Sequence, residues 1–455
     1  MTLRSINPAD GQLIDEYARM QPDEVESILA ASSAATKEWA AASFATRAAF
    51  MHKAAALLQE RSETLARLMA LEMGKPIRDG LGEVEKCAWV CRYYAENAER
   101  FLSSELVESD ATRSKVCFRP LGTVLGIMPW NFPFWQAFRF LVPTLMAGNT
   151  ALLKHASNVT GCALAIEKLL HDTGLPPGVF RCLLLGSEDI EPVIAHPTIS
   201  AVSLTGSTAA GKAVAATAGA HLKKCVLELG GSDPYLILAD ADIPAAARTC
   251  AASRLINAGQ SCIAAKRFIV VQECMEEFTE HFVEAMAAAR LGDPLHESTQ
   301  LGPLARVDLR DALHQQVQKS LDAGARLLLG AQIPDKPGAW YPPTVLADLK
   351  PHMPAWQEEL FGPVAALITA IDEADALRIA NASSFGLGAA VFTQDQARGE
   401  AIAETSLEAG SCFVNSLVRS DPRLPFGGIK ESGYGRELGL YGIREFVNVK
   451  TVYVA

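Results

Sequence analysis

The sequence lacks three patterns that would place it in a common class at once. It has no run of 18 apolar residues, and residues 1–8 hold no continuous apolar stretch, which argues against a membrane span or a secretory leader. Its ten cysteines include no C-x-x-C pair, and its nine histidines form no H-x-H or H-x-x-x-H pattern. Scattered cysteines are typical of reduced thiols, so we expect a cytoplasmic protein without a bound metal.

The sequence also lacks an excess of positive charge. Asp and Glu number 52 against 41 Lys and Arg, and the net charge of -11 argues against nucleic acid or an anionic membrane as a partner. A chain of 455 residues exceeds what one hydrophobic core usually organises, so two or three domains are expected.

The first half of the chain changes from helical to alternating periodicity. Apolar positions recur at helical spacing over 23–41, 45–73 and 83–102. Short strands then alternate with helices, which indicates a parallel sheet covered by helices and predicts a Rossmann-like dinucleotide-binding domain. The predicted strands are 124–128, 150–154, 179–185, 201–205 and 225–229, and the predicted helices between them are 161–172, 189–195 and 208–221.

The second half repeats the alternation and predicts a second α/β domain. Its predicted strands are 235–238, 268–271, 325–329, 365–370, 389–393 and 412–415. The stretches 103–118 and 445–454 are predicted to be β segments that belong to neither sheet. Because an edge strand as apolar as 445–454 favours aggregation, we expect a partner to cover it.

Two reactive side chains stand beside glycine at the ends of predicted elements. Cys262 follows a glycine turn after the helical run 245–257, and Glu228 ends the apolar run 225–227. A thiolate is a strong nucleophile near neutral pH, and a carboxylate one water away can act as a general base. Taken alone, each residue has a plainer interpretation, because most cysteines are packing residues and most carboxylates lie at the surface or cap helices.

The sequence motifs around these two residues, and along essentially the whole chain, resemble those of the aldehyde dehydrogenase family. Within that family the sequence is most similar to the bacterial succinate-semialdehyde dehydrogenases. The motifs that carry the resemblance, in chain order, are PWNFP at 129–133, ELGG at 228–231, GQSC at 259–262, EELFGP at 358–363 and PFGGIKESG at 425–433.

The resemblance implies the domain organisation and the oligomer. Residues 1–102 and 121–230 are expected to form the dinucleotide-binding domain and residues 231–431 the catalytic domain. Residues 103–120 and 432–455 are expected to form a small β oligomerisation segment that pairs across subunits in a homodimer or homotetramer.

The resemblance also implies the catalytic roles. Cys262 matches the nucleophile that attacks the aldehyde carbon and forms a thiohemiacetal and then a thioester. Asn131 matches the amide that stabilises the oxyanion together with the backbone N–H of Cys262, although an Asn before an X-Pro bend is also a common turn residue. Glu228 matches the base that activates water to hydrolyse the thioester, rather than transferring the acyl group to coenzyme A.

The resemblance implies NADP or NAD as cofactor. The run 204–212 has the order strand, glycine turn, helix, which offers free N–H groups to a pyrophosphate. NAD-preferring relatives often carry Glu at the position of Ser157, and here the absent carboxylate and nearby Lys154 predict that NADP is accepted. The cofactor-binding residues expected from the resemblance are Trp130, Lys154, Ser157, Gly206, Ser207, Gly211, Glu359 and Phe361.

Two residues match the substrate-binding positions of succinate-semialdehyde dehydrogenases. Arg139 matches an Arg that binds the distal carboxylate, and Ser420 falls where those enzymes place a hydroxyl. Arg139 can equally be a surface residue or an intramolecular ion-pair partner. A second Arg of some members is Ile256 here, and whether Arg254 replaces it is left open by the sequence.

The resulting hypothesis is an NAD(P)-dependent oxidation of the small-molecule aldehyde succinate semialdehyde to succinate. The alternatives are another semialdehyde such as glutarate semialdehyde, a medium-chain or aromatic aldehyde, or a catalytically silent structural or binding homologue. Ester hydrolysis by Cys262 is expected only as a side activity.

Overall fold

A computed structural model describes residues 2–455, which form fifteen α-helices and twenty β-strands. The helices are α1 (Pro22–Ala41), α2 (Phe44–Glu60), α3 (Ser62–Met73), α4 (Ile77–Phe101), α5 (Pro133–Met146), α6 (Thr160–Asp172), α7 (Ile190–Ala195), α8 (Thr208–Ala220), α9 (Ile243–Leu255), α10 (Met275–Ala287), α11 (Val307–Asp322), α12 (Pro354–Gln357), α13 (Glu373–Asn381), α14 (Gln396–Thr405) and α15 (Gly439–Glu445). The strands are β1 (Thr2–Ile6), β2 (Leu13–Ala18), β3 (Glu105–Val107), β4 (Arg113–Pro120), β5 (Thr123–Met128), β6 (Thr150–His155), β7 (Phe180–Cys182), β8 (Ile199–Thr205), β9 (Lys224–Glu228), β10 (Pro234–Ile237), β11 (Arg267–Val271), β12 (Arg326–Leu329), β13 (Thr344–Ala347), β14 (Val364–Ala370), β15 (Phe385–Gly386), β16 (Gly388–Phe392), β17 (Ser411–Val414), β18 (Ile429–Lys430), β19 (Gly433–Tyr434) and β20 (Val447–Val454).

Two large sheets carry the fold, and each has one antiparallel edge strand on an otherwise parallel core. The first has the strand order β19-β9-β8-β5-β6-β7, with β19 antiparallel to β9. The second has the order β12-β13-β14-β11-β10-β16-β17, with β12 antiparallel to β13. Strands such as β6 and β11 are buried along their whole length, as expected for parallel strands covered by helices on both faces.

The third sheet is small and antiparallel, with the order β20-β4-β3. Strand β20 pairs with β4 over eight residues, so the two predicted β segments lie beside each other. Several apolar side chains of this sheet point to solvent, among them Leu106 (77% exposed) and Val449 (62% exposed). Among residues 2–455, β20 is therefore an edge strand that carries exposed apolar side chains.

Side-chain caps fix the starts of several helices. In each case a Ser or Asp side chain accepts the backbone N–H three residues later, which satisfies a donor that the helix leaves free. These caps are Ser43 for α2, Ser207 for α8, Asp242 for α9, Asp372 for α13 and Asp395 for α14. No helix among residues 2–455 is both long and apolar enough to cross a membrane.

Several predicted elements differ from the structure. The single helix predicted over 45–73 is two helices, broken at Arg61, where φ is -101° and ψ is 11°. Residues 2–18, for which the sequence analysis gives no element, form the hairpin β1-β2. The predicted strand 179–185 is paired only over Phe180–Cys182. Helix α5 was not predicted, because every one of its residues is buried and its apolar run has no polar face to reveal a helical period.

Candidate active site

Cys262 lies in a loop that three consecutive left-handed residues shape. Asn257, Ala258 and Gly259 have φ values of 53°, 53° and 76°. A Cβ at position 259 would lie 2.1 Å from the carbonyl oxygen of Gly362, so only glycine fits. Because left-handed backbone is unfavourable for Asn and Ala, the surrounding packing must impose it, and it fixes the direction in which Cys262 points.

Buried cations hold the carbonyl groups of this loop. Lys266 donates its Nζ protons to the carbonyl oxygens of Ser261 at 3.0 Å and Cys262 at 2.6 Å. Arg254 donates from Nη2 to the carbonyl oxygen of Gly259 at 2.6 Å. Burial raises the pKa of the Cys262 thiol to about 12, and nearby cations oppose this rise. The resting sulfur is therefore a protonated thiol at neutral pH.

Two cavities meet at Cys262, which is the one described residue that lines both. The larger, of 390 Å³, contains Cys262 together with Arg139 and Ser420. The smaller, of 260 Å³, contains Cys262 together with Asn131 and residues of the ELGG and EELFGP motifs. The sulfur thus stands between a chamber rich in basic side chains and a second, mostly apolar chamber.

Asn131 lies in the turn between β5 and α5, and its side chain faces the loop of Cys262. It is buried, and its Nδ2 donates one proton to the carbonyl oxygen of Gln260 at 3.0 Å. A side-chain amide has two donors, so one N–H remains for another acceptor. The Asn131 carbonyl oxygen accepts from Asn257 Nδ2 at 2.7 Å, which ties the turn to the left-handed segment.

A buried ion pair that the sequence did not reveal supports the same turn. Lys75 and Glu83 form a salt bridge with almost fully buried side chains. Lys75 also donates to the carbonyl oxygen of Asn131 at 3.0 Å. Glu83 Oε1 accepts the backbone N–H groups of Phe134 and Trp135, both at 2.9 Å, at the positive N-terminal end of α5. The pair therefore joins α4 to the turn that presents Asn131.

Glu228 ends β9 in a buried position. Neither carboxylate oxygen has a hydrogen-bond partner among residues 2–455. Burial, and then the charge of Glu437, raise the pKa of Glu228 well above its usual range, while Arg139 opposes the rise. A Cβ at Gly427, where φ is 155°, would lie 2.7 Å from Glu228 Oε1, so the PFGG motif leaves room for this side chain. Burial therefore favours the neutral form of the Glu228 carboxyl group.

The structure gives Arg139 an internal partner. Its guanidinium forms a buried ion pair with Glu437, donates from Nη2 to Thr205 Oγ1 at 3.2 Å and lies 4.7 Å from the centre of the Phe426 ring. This is the ion-pair alternative that the sequence left open. Arg139 does line the larger cavity, but its charge is already balanced by Glu437. Its contact with a substrate carboxylate stays a prediction.

Ser420 lines the larger cavity beside a lysine that the sequence did not single out. Its Oγ accepts a hydrogen bond from Lys86 Nζ at 2.7 Å. Ile256, where some relatives have Arg, also lines this cavity. Arg254 is fully buried and donates to the backbone of the nucleophile loop. It therefore does not take the place of the Arg that some relatives have at the position of Ile256.

The smaller cavity gathers five of the predicted cofactor residues. These are Trp130, Gly206, Ser207, Glu359 and Phe361. Trp130 and Phe361 pack edge to face with ring centres 5.7 Å apart, and Glu359 Oε1 accepts the backbone N–H of Gly231 at 3.0 Å. Helix α8 begins at this cavity, with Ser207 as its cap, so the positive end of the helix faces the chamber.

The other three predicted cofactor residues lie outside the lining of this cavity. Gly211 is inside α8, where a Cβ would lie 2.5 Å from the Leu229 side chain, so it permits close packing of helix on strand. Lys154 is near the end of β6, and Ser157 begins the short turn that follows. Burial lowers the pKa of Lys154, and the charge of Glu188, which forms an ion pair with Arg19, opposes the fall.

Sequence reasoning missed the residues that act through others. Five charged residues at or beside the site belong to none of the motifs that indicated it, namely Lys75, Glu83, Lys86, Lys266 and Glu437. Their only signal was the charge of their side chains. Such a signal does not name the partner.

The chain matches the model of the aldehyde dehydrogenase family over residues 1–452. It is 46% identical to a probable NADP(+) succinate-semialdehyde dehydrogenase of Synechocystis sp., over 100% of both chains. It is also 46% identical to an NAD(P)+ succinate semialdehyde dehydrogenase of Escherichia coli, over 99% of this chain and 97% of that one.

A solved structure agrees over the same span. The succinic semialdehyde dehydrogenase of Streptococcus pyogenes in complex with NADP+ superposes with a TM-score of 0.97 at 35% identity, covering 99% of both chains. The predicted family and fold class are confirmed, whereas the predicted domain boundaries stay a prediction.

Proposed function

Because the chain belongs to the aldehyde dehydrogenase family, we propose that it oxidises succinate semialdehyde to succinate with NADP or NAD as cofactor. The observation that carries the proposal is the position of Cys262 between two cavities. One cavity is lined by cations, and helix α8 begins at the other. An aldehyde with a distal carboxylate suits the first chamber, and a dinucleotide suits the second.

Cys262 is the proposed nucleophile. Its thiol proton must pass to water before the sulfur forms a bond to the aldehyde carbon, because the thiolate is the reactive form. The oxyanion that develops then has two donors, the second N–H of Asn131 and the backbone N–H of Cys262. Removal of one such donor typically lowers turnover by about 10²–10³-fold. The network from Lys75 and Glu83 supports this role, because it holds the Asn131 backbone in place.

Glu228 is the proposed base for the hydrolysis of the thioester. It must be ionised to take a proton from water, and its raised pKa makes the ionised form a stronger base than an exposed carboxylate. The proton moves from water to Glu228 as the water oxygen attacks the thioester carbon, and the Cys262 sulfur leaves. This step releases succinate, and the departing Cys262 thiolate becomes a thiol again when it takes up a proton from water.

The smaller cavity fits the dinucleotide. The α8 N-terminus with Gly206 and Ser207 would hold the pyrophosphate, and Trp130, Glu359 and Phe361 would hold the nicotinamide end. When bound, the cofactor supplies the acceptor for the hydride of the aldehyde. Lys154 and Ser157 are the proposed adenosine-side contacts, and the neutral Ser157 supports acceptance of the 2′-phosphate of NADP, as named for the relatives.

We propose a homodimer or homotetramer built on the small sheet, in a cytoplasmic setting. The exposed apolar side chains of β3 and β20 support burial against a second copy. The ten thiols, all free, support a reducing compartment. Light scattering of the purified chain tests the oligomer, and a monomer at micromolar concentration would contradict it.

The function is tested by initial rates of NADPH and NADH formation from succinate semialdehyde, hexanal and benzaldehyde. We expect succinate semialdehyde to exceed the uncharged aldehydes by at least about 10-fold in kcat/KM, because a charge-assisted contact discriminates by that much. We also expect NADP to be used at least as well as NAD. A higher kcat/KM for an uncharged aldehyde than for succinate semialdehyde would contradict the proposed substrate. A preference for NAD over NADP above about tenfold would contradict the proposed role of Ser157.

A further inference from the structure

Lys266 is a buried lysine that the proposed steps do not use. It lies directly before β11, and its side chain is 1% exposed. Its Nζ donates to the carbonyl oxygens of Ser261 and Cys262, at 3.0 and 2.6 Å. Among residues 2–455, Glu359 is the one carboxylate within ion-pair distance of this ammonium group, with Oε1 at 3.5 Å. One buried cation therefore contacts both the nucleophile loop and a residue of the dinucleotide cavity.

Glu359 stands between Lys266 and the smaller cavity. Its side chain is 21% exposed and lines that cavity. Oε1 also accepts the backbone N–H of Gly231 at 3.0 Å, so both contacts use the same oxygen and Oε2 is left for hydroxyl donors in the cavity. A Cβ at position 230 would collide with Glu359 Oε2, and one at position 231 would lie 2.9 Å from the Cys262 carbonyl oxygen. The two glycines of the ELGG motif thus leave room for this connection.

The charges around Lys266 make Glu359 its main partner. The charged and titratable groups that face the ammonium group are Glu359, Asp233, Arg254 and Cys262. Burial lowers the pKa of Lys266, and the negative charge of Glu359, followed by that of Asp233, opposes the fall. The Lys266 ammonium group and the Glu359 carboxylate therefore stabilise each other in their charged forms, and removal of either one leaves the other poorly supported.

We propose that Lys266 is a positioning residue for hydride transfer, because it sets the distance between the Cys262 loop and the Glu359 carboxylate that holds the nicotinamide end of the cofactor. This inference rests on the proposed function. Oxidation breaks the C–H bond of the carbon attached to the Cys262 sulfur, the oxyanion becomes the thioester carbonyl, and the hydride passes to the cofactor. The carbon that gives the hydride is fixed to the loop and the acceptor is held by Glu359, so a link between the two fixes the path of the hydride.

The test measures two quantities in the wild type and in Lys266→Met. One is the dissociation constant of NADP by titration calorimetry, and the other is the rate of NADPH formation in a single turnover with hydrogen or deuterium at the aldehyde carbon. Met retains the length of Lys without its charge. We expect the single-turnover rate to fall about 10- to 100-fold. The isotope effect should exceed that of the wild type, because hydride transfer then limits the rate.

Lys53→Met is the matched control. Lys53 is exposed and donates to the carbonyl oxygen of Thr173 at 3.3 Å, so the same substitution removes a lysine from a backbone carbonyl outside the lining of both cavities. It should change neither the dissociation constant of NADP nor the isotope effect.

Glu359→Gln, alone and combined with Lys266→Met, separates action through Glu359 from direct action on the cofactor. Lys266→Met should weaken NADP binding about 3- to 10-fold in the wild-type background. It should weaken binding by less than about 2-fold when Glu359 is already Gln, because the residue through which Lys266 acts is then gone. Lys266→Gln retains a donor for the loop carbonyls, and it should show the same pattern and serves in place of the Met variant if that variant does not fold.

The outcomes separate this inference from the proposed function. Equal losses of NADP affinity in both backgrounds overturn the inference, and so does a slower single turnover whose isotope effect does not exceed that of the wild type. A wild type that prefers an uncharged aldehyde contradicts the proposed substrate, and the same measurements then use that aldehyde. A wild type that forms no NADPH contradicts the proposed function, while the dissociation constants still test the link. Circular dichroism establishes that each variant is folded.

Discussion

Two buried ion pairs flank the active site, and they differ in what surrounds their carboxylates. Glu83 accepts from Lys75 and from two backbone N–H groups of α5, so its charged form is fully supported. Glu437 faces Arg139, but it lies beside Glu228, whose two oxygens have no hydrogen-bond partner among residues 2–455. Burial raises the pKa of Glu437 as well. The carboxylate of the first pair therefore has all its hydrogen-bond partners, whereas in the second pair the Arg139 guanidinium is shared between Glu437 and Glu228.

The difference separates positioning from proton chemistry. A fully hydrogen-bonded carboxylate keeps one geometry, which suits the support of the Asn131 turn. Two acids beside one guanidinium cannot both ionise easily, so a proton can reside on either. Breaking the first pair should therefore disturb structure, and altering the second should disturb the pH dependence.

The largest effect is expected from Glu228→Gln. We expect steady-state kcat to fall about 10²–10⁴-fold, because water loses its base while the thiol remains. Rapid mixing should still give a burst of NADPH of about one per active site. A variant that loses the burst as well would show that Glu228 acts before the thioester forms.

The second-largest effect is expected from Glu83→Gln, which should lower both the free energy of unfolding and kcat. Removing one charge leaves the Lys75 ammonium buried and unpaired, which costs about 3–5 kcal/mol of unfolding free energy. Chemical denaturation measures this loss, and kcat should fall with it because the Asn131 turn loses its support. Glu85→Gln, two positions along the same helix and exposed, is the matched control and should change neither.

Glu437→Gln should shift the pH profile rather than abolish activity. The charge of Glu437 raises the pKa of Glu228, so its removal lowers that pKa, and ionised Glu228 persists to lower pH. The acidic limb of the kcat profile should move down by about 1 pH unit. The exposed Glu431→Gln provides the control. An unmoved limb would mean that another group controls the profile.

Thr205→Val should give the smallest effect. It removes the hydroxyl that accepts from Arg139 Nη2 at 3.2 Å while keeping the shape of the side chain. We expect a loss of about 1 kcal/mol in unfolding free energy and an unchanged acidic limb. A shift as large as that of Glu437→Gln would contradict the view that Glu437, not Thr205, sets the proton chemistry.

The sequence predicted those features that short sequence motifs and local periodicity determine. The motifs placed Cys262, Asn131 and Glu228 at the ends of elements, and the structure puts Cys262 and Asn131 at one cavity and Glu228 at the end of β9 beside its wall. The alternation of strands and helices predicted both parallel sheets, because that periodicity is local.

The sequence did not reveal partners that lie far apart in the chain. Arg139 follows the PWNFP motif and Glu437 follows the PFGGIKESG motif, so most of the chain lies between them. Nothing in the spacing shows that one neutralises the other. Lys86 and Ser420 come from α4 and from a loop near the end of the chain, so their contact exists only after folding. Helix α5 was missed for a different reason, since full burial removes the polar stripe by which a helix is recognised.

Among residues 2–455, Cys262 alone lines both cavities, so its side chain separates the two chambers. An electrophilic reagent that arrives through either chamber meets the same atom, and the adduct obstructs both. A molecule seated in the dinucleotide chamber shields only one side of the thiol. Full protection from alkylation therefore requires both chambers to be filled, and the thiol stays accessible from one side until the second ligand binds.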